Sequence, residues 1–387
     1  MNEKKIKLQW IVPILLSFFA MSFCDLVGIG VDRIKGDFHL SDKLAQLIPS
    51  AVFLWFLILS IPFGLAQDRI GKRRLLNIGL ILTAIGLFIP FIYYSFSTTL
   101  IAFGFLGIGN TIVQVSANPL LVDVVPDSKR SSFLSFSQFI KAFGSLVATP
   151  LAWFFTSQFG DWKVMFIAFG LLSLSSALWL MFTSINETTS GEKHATFASS
   201  FSLLSNKFNL IMVGGIFFVV GIDVGMNTNI GQYLFHRFNC AQKLYESGHS
   251  IYFLGKMIGT FCGAVILAIF SSRKFLFWSS LAGLLAIVAL LIVPNASIAL
   301  VITFIIGLGF SNIWPLIFSL TIEKSPDHPN EISGLMVMAI FGGAVIPPVM
   351  GGLMDKLGPV AGMAVLALCA GYLLFVSFIC KSKSKIA

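Results

Sequence analysis

Charge is what this sequence has least of. Only 11% of its 387 residues are Asp, Glu, Lys or Arg, whereas 56% are hydrophobic. Soluble domains carry roughly 25% charged residues, so a chain this poor in charge cannot cover its apolar surface in water. Cysteine is scarce as well. The five, Cys24, Cys240, Cys262, Cys369 and Cys380, show neither a disulfide framework nor metal-ligand spacing, and only Cys240 reads as external. No Gly-x-x-x-x-Gly-Lys-Ser/Thr phosphate loop occurs, which excludes ATP as the driving cofactor. Neither a zinc site nor a nucleophile constellation stands out, so an enzyme is not expected. Strand-type alternation is missing, which excludes an outer-membrane barrel.

What the chain does have is long apolar runs. A spanning helix needs about 20 predominantly apolar residues, and twelve such runs are centred near Phe19, Trp55, Ile85, Thr111, Phe143, Leu172, Val220, Gly259, Leu285, Leu308, Gly343 and Ala370. Short polar turns separate them, for example Phe96 to Thr98 and Pro294 to Ser297. Lys4, Lys5 and Lys7 precede the first run, but no small-residue cleavage site follows, so this run reads as an anchor.

The net charge of +9 has a topological explanation. Lys and Arg concentrate at the N-terminus, in Arg69 to Arg74, at Lys129 and Arg130, at Arg273 and Lys274, and at Lys381, Lys383 and Lys385. These segments all fall on one side if the spans alternate. The positive-inside rule then makes both termini cytoplasmic in a multi-pass inner-membrane protein, and no nucleic-acid partner is needed to explain the basic balance.

A polar stretch rich in Ser, Thr and charge divides the chain into residues 1–185, a cytoplasmic linker 186–207, and residues 208–387. The two parts are related. At an offset of 200, Gly107 and Gly109 match Gly307 and Gly309, and Asp123 matches Glu323. At 198, Phe143 and Gly144 match Phe341 and Gly342, and Asp25 matches Asp223. Six spans per repeat give a parallel repeat, with its axis along the membrane normal. The expected fold class is an all-α membrane protein of twelve helices in two pseudo-symmetric six-helix bundles.

Polar residues inside these runs are the functional candidates, because each is costly in lipid unless paired or wet. Asn110, Gln114 and Asn118 are spaced i, i+4, i+8 on one helix face. Their alternating donors and acceptors suit sugar hydroxyls, although amides also join helices to one another. Asn227 lies in the seventh run, where Gly221, Gly225 and Gly231 suggest an easily bent helix. Trp314, beside Pro315, offers an aromatic face to a sugar ring, whereas Trp10, Trp162 and Trp278 read as interface anchors. Four charges fall within spans: Asp25, Lys141, Asp223 and Lys256. Two readings stay open for them. They form static pairs, such as Asp25 with Lys141 and Asp223 with Lys256, or an acid among them carries the coupling proton. A third use is capture of an anionic substrate group by Lys141 or Lys256.

The loop Gly64-Leu-Ala-Gln-Asp68-Arg69-Ile-Gly71-Lys72-Arg73-Arg74 resembles the major-facilitator signature. Gly64 would allow close helix approach, Gly71 a tight turn, and Asp68 with Arg69 a conformational gate. Ser271-Ser272-Arg273-Lys274, at the equivalent place in the second half, has lost the pattern. Gln114-Val-Ser-Ala-Asn118-Pro119 is similar to the fourth helix of the fucose–proton symporter family, particularly its glucose/galactose branch. Gln138 with Phe143-Gly144 resembles the family's fifth helix, Ser311-Asn312-Ile-Trp314-Pro315 its tenth, and Met338-Ala-Ile-Phe-Gly342-Gly343 its eleventh. The resemblance implies a secondary transporter of a small sugar, driven by a proton or sodium gradient, with Gln138 and Asn312 added to the binding set. The first-helix Asn-Asp pair of fucose-type members is absent, Gln114 replaces their fourth-helix acid, and Lys141 stands where the family has Asn. An acidic sugar, or export of drugs or organic anions, are the alternative cargoes. Nothing in the sequence demands more than a monomer.

Overall fold

The computed structural model describes residues 8–125, 130–185, 187, 201–266, 270–325 and 329–381. Among these there is no strand. Lipid offers no hydrogen bonds to a bare backbone, so each apolar run satisfies its amides within a helix. The helices are α1 (Leu8–Phe38), α2 (Leu47–Ile70), α3 (Lys72–Ile92), α4 (Phe96–Val124), α5 (Arg130–Phe159) and α6 (Val164–Phe182), followed by α7 (Lys207–Phe238), α8 (Gln242–Ile266), α9 (Ser272–Ile292), α10 (Ala296–Thr321), α11 (Gly334–Leu357) and α12 (Pro359–Lys381). Each of the twelve expected centres falls inside one of them. Eleven are long and apolar enough to cross a membrane. The remaining one, α8, has 25 residues and carries Lys243, Glu246, His249 and Lys256. It packs between α10 of its own half and α5 of the other.

Two large apolar cores result, with a small third cluster of Ile61, Leu335 and Met338 between α2 and the start of α11. One is built almost entirely from α1 to α6, with Val224, Ile340 and Ala344 reaching in from the second half. The other is built from α7 to α12. The sequence repeat reappears as matched close approaches. A Cβ on Gly107 would lie 2.3 Å from the Val52 carbonyl of α2, and one on Gly307 would lie 2.2 Å from the Tyr252 carbonyl of α8. Gly144 likewise meets Ser22 and Phe19 of α1, while Gly342 meets Phe217 of α7. Phe19 and Phe217 are themselves 198 residues apart. At these crossings only glycine lets the backbones approach so closely.

Several expectations need correction. α7 runs unbroken for 32 residues through Gly221, Gly225 and Gly231. They admit Ile346, Met350 and Asp32 of neighbouring helices. Trp162 is not an interface anchor. It is buried among Phe166 and α1, with its indole N–H reaching Asp37 at 3.4 Å. Tyr94 donates to the same carboxylate at 2.6 Å, and burial followed by that bond pushes its phenol above the usual tyrosine range. The turn expected at Phe96 to Thr98 lies just before it, because Ser95 caps α4 in a capping box with Thr98.

Three helices depart from regular α geometry. α1 tightens to a 3-10 turn at Ser22–Leu26, α10 is interrupted at residues 311–312, and α11 tightens at Ala339–Phe341. The first two contain Asp25 and Asn312, both on the candidate list.

Candidate functional site

The break in α1 disturbs the regular carbonyl ladder, and amides from two other helices bond there. Asn110 of α4 donates to the Met21 carbonyl at 2.8 Å, and Asn227 of α7 donates to the Asp25 carbonyl at 3.0 Å. Asn227 also sits where a Cβ on Gly28 would be, 2.1 Å from its Oδ1, which fixes the α1–α7 crossing. Asn312, inside the α10 break, donates to the Gly259 carbonyl of α8 at 2.7 Å and so ties the break to that helix. All three asparagines are buried, and their amide N–H groups are engaged with backbone, while the Asn227 Oδ1 is buried without a hydrogen-bond partner among the described residues.

Gln114 and Asn118 are half-buried on the α4 stripe. Gln114 donates to Asn110 Oδ1 at 3.0 Å, and Asn118 to the Gln114 carbonyl at 3.3 Å. Trp314 is half-buried with one face stacked on Phe318, centroids 5.1 Å apart. Gln138 is exposed on α5.

The four intramembrane charges are not arranged as two equivalent pairs. Lys256 bonds both oxygens of Asp223, at 2.7 and 2.6 Å, and Tyr252 donates to the same carboxylate at 2.6 Å. Asp25 instead accepts from Ser145 of α5 at 2.5 Å. No carboxylate of the described residues lies within 4.0 Å of the Lys141 ammonium, so the Asp25–Lys141 contact pair is not formed, although Lys141, Lys256 and Asp223 all act electrostatically on Asp25. Asp223 and Lys256 retain 32% and 21% side-chain exposure in mid-span. Ionised groups this deep in a bundle with residual exposure border space rather than packed core. Ser145 and Tyr252 escaped sequence reading because a lone hydroxyl in an apolar run is common and unremarkable.

The signature loop is only partly described. The side chains of Asp68 and Arg69 lie outside the described residues. Gly71 has φ +91 and opens α3, as a tight turn requires. Gly64 does not mark a close approach: nothing among the described residues lies within 4 Å of a Cβ there. The Glu187 carboxylate caps α3, accepting from the backbone N–H of Lys72 at 2.6 Å and of Arg73 at 3.1 Å. Lys72 pairs with Asp123 at 2.6 Å, and Arg273 lies 3.8 Å from Glu323 in the second half. Asp123 and Glu323 are repeat-equivalent, so both halves hold a basic loop residue near an acid at that position, more loosely in the second.

The sequence profile described as Major Facilitator Superfamily matches residues 14–348. This chain belongs to the major facilitator superfamily. Within it, the chain is 26% identical over 385 residues to a protein named glucose/galactose transporter in Brucella abortus, covering 95% of this chain and 93% of that one. It is 28% identical over 387 residues to a putative glucose/galactose transporter of Helicobacter pylori, covering 92% and 93%. Its fold is similar to that of the fucose:proton symporter of E. coli, with a TM-score of 0.72 at 20% identity, covering 96% and 98%. As a major facilitator the chain is a secondary transporter, not an enzyme.

The ion pairs that join the two halves gather at one end of this major facilitator, and they were missed from sequence. Arg33 of α1 contacts Glu246 of α8 at 2.7 Å, and the Trp153 indole of α5 donates to Glu246 at 2.6 Å. Asp32 meets His249 at 2.6 Å and accepts from Gln232 at 2.6 Å. Lys35 bonds Asp42 and Gln232, each at 2.6 Å. Asp355 of α11 accepts from the backbone of Asp42 and Lys43 at 2.9 and 2.8 Å. Gln46 of the α1–α2 connection bonds Asn229 of α7 at 3.0 Å. This seam closes one end of the interface between the halves. Its residues sit at helix ends, where charge is ordinary in sequence, and only the fold brings them together.

Proposed function

We propose that this chain takes up a small sugar or sugar derivative by alternating access, coupled to a proton or sodium gradient. The observation that carries the reading is the mid-span cluster of Asp25, Lys141, Asp223 and Lys256, in a chain whose relatives over nearly its whole length are named glucose/galactose transporters. Gln114, Asn118, Gln138 and Trp314 supply sugar contacts. Asn110, Asn227 and Asn312 support the site by holding the broken segments of α1 and α10. Asp25 and Asp223 are the coupling acids, each able to exchange Ser145 or Lys256 for a proton or ion as the cavity is wetted. Residues 1–185 and 208–387 move as two bundles about the cytoplasmic linker 186–207, with Asp68 and Arg69 gating the cytoplasmic side. The chain lies in the inner membrane with both termini inside, works as a monomer and holds no cofactor beyond the coupling ion. The seam end then faces outward.

An acidic sugar is the second reading, and Lys141 favours it. Its ammonium has no carboxylate within 4.0 Å among the described residues, whereas Lys256 is already held by Asp223. Counterflow in proteoliposomes with labelled neutral hexoses, amino sugars, uronates and sulfated sugars separates the readings. Saturable exchange of neutral hexoses supports the first, and exchange of acidic members alone supports the second. No exchange across the panel refutes both and leaves export of drugs or organic anions.

A further inference from the structure

Asp32 is a fully buried seam carboxylate with no Lys or Arg of the described residues in contact. Arg33 is matched to Glu246, and Lys35 to Asp42. Asp32 has instead the Gln232 amide and the His249 imidazole, and its side chain is fully buried. His249 is 4% exposed at its side chain, and its Nδ1 is buried without a hydrogen-bond partner. Other charged and titratable groups surround the pair. They are Arg33 and Lys35 of α1, Asp42 and Lys43 of the short helix Asp42–Ala45, and His236 of α7. Tyr245 and Glu246 of α8 and Asp355 of α11 complete the set.

We infer that Asp32 and His249 form a proton-binding site assembled only when the seam closes, so that closure takes up one proton from the outer aqueous phase. In the unprotonated pair His249 donates Nε2–H to Asp32 and leaves Nδ1 bare. The added proton occupies Nδ1, and the resulting imidazolium neutralises the buried carboxylate. Burying an uncompensated carboxylate is costly, and a cation in contact offsets that cost. Asp32 lies on α1 and His249 on α8, so opening the seam separates them and returns both to water. Acid outside the cell therefore favours the closed seam. Gly231 marks the tightness of the site: a Cβ there would lie 2.0 Å from Asp32 Oδ2.

The inference rests on the alternating-access reading but not on which sugar is carried, and its test uses no substrate. Spin labels on Tyr93→Cys and Pro294→Cys, exposed on loops of opposite halves, are placed in full-length protein with the five native cysteines replaced. Distances are measured by double electron–electron resonance in nanodiscs from pH 5 to 9. The expected result is a closed-to-open ratio that falls with rising pH, by up to about tenfold per unit for one proton. Asp32→Asn and His249→Gln should each flatten that dependence, and His249→Phe keeps ring volume without a titrating nitrogen should either misfold. Arg33→Gln should open the seam at every pH yet keep the slope, and His236→Gln should keep it too. A flat response in the parent, a parental slope in the Asp32 and His249 variants, or loss of slope in His236→Gln would each overturn the assignment.

Discussion

Asp223 and Asp25 look equivalent in the repeat, yet their surroundings differ. Asp223 is gripped by Lys256 and Tyr252, whereas Asp25 has one hydroxyl and a more distant cation. Removing one partner of a buried pair costs about 3–5 kcal/mol. The residual exposure of Asp223 and Lys256 reduces this to about 2–3 kcal/mol on the same scale. Asp223→Asn alone should therefore lower the detergent-solubilised melting temperature, and adding Lys256→Met should restore much of it. If the pair carries coupling, the double variant will still fail to accumulate substrate against its gradient in proteoliposomes. Recovery of both stability and accumulation would make the pair purely structural. Asp25→Asn should leave stability nearly unchanged, because Ser145 can bond an amide oxygen, while pH-dependent accumulation falls at least tenfold.

Among elements, the helix crossings are where single atoms matter. Gly107→Ala and Gly307→Ala place a methyl against backbone carbonyls at 2.3 and 2.2 Å, which cannot rotate away. Overpacking typically costs 1–3 kcal/mol, so both should lower thermal stability, and by similar amounts because they occupy equivalent crossings. Gly371→Ala in α12 meets nothing within 4 Å and should be neutral or gain roughly 0.5–1 kcal/mol from helix propensity. At the head of α3, Glu187→Gln keeps an acceptor but loses the charge opposite the helix N-terminus, a loss of about 0.3–1 kcal/mol. Thermal-shift measurements in one detergent rank the four variants.

For the molecule as a whole, the seam decides which way the site opens. Gly351 of α11 lies so near the α1–α2 connection that its Cβ would fall 2.8 Å from Gln46 Cγ. Cysteines at Gln46 and Gly351, in a background lacking the native five, should cross-link under mild oxidation and hold the seam shut. Counterflow should then fall at least tenfold and return on reduction. Full exchange in the cross-linked protein would mean that the seam does not open during transport.

The sequence by itself determined the solvent, the helices and the relation between the halves. Few charges and runs of about 20 apolar residues leave helices as the economical way to satisfy a backbone in lipid, and the glycine pairs Gly107 with Gly307 and Gly144 with Gly342 carried the repeat into the crossings. The candidate charges were legible for the same reason, since any ionised residue inside such a run is conspicuous. Tertiary structure decided what those residues contact. Asn110, Asn227 and Asn312 look like sugar ligands in sequence, whereas in the fold their amide N–H groups bond backbone carbonyls at or beside the breaks in α1 and α10; no Pro or Gly lies within the α1 break to announce it, while Pro315 stands four residues after Ser311 at the α10 break. Lys141 and Lys256 are indistinguishable along the chain, and only packing gave Lys256 a carboxylate. The seam was invisible for the opposite reason. Asp32, Arg33, Glu246 and His249 stand at helix ends, where charge is expected, and their pairing joins residues more than 200 positions apart.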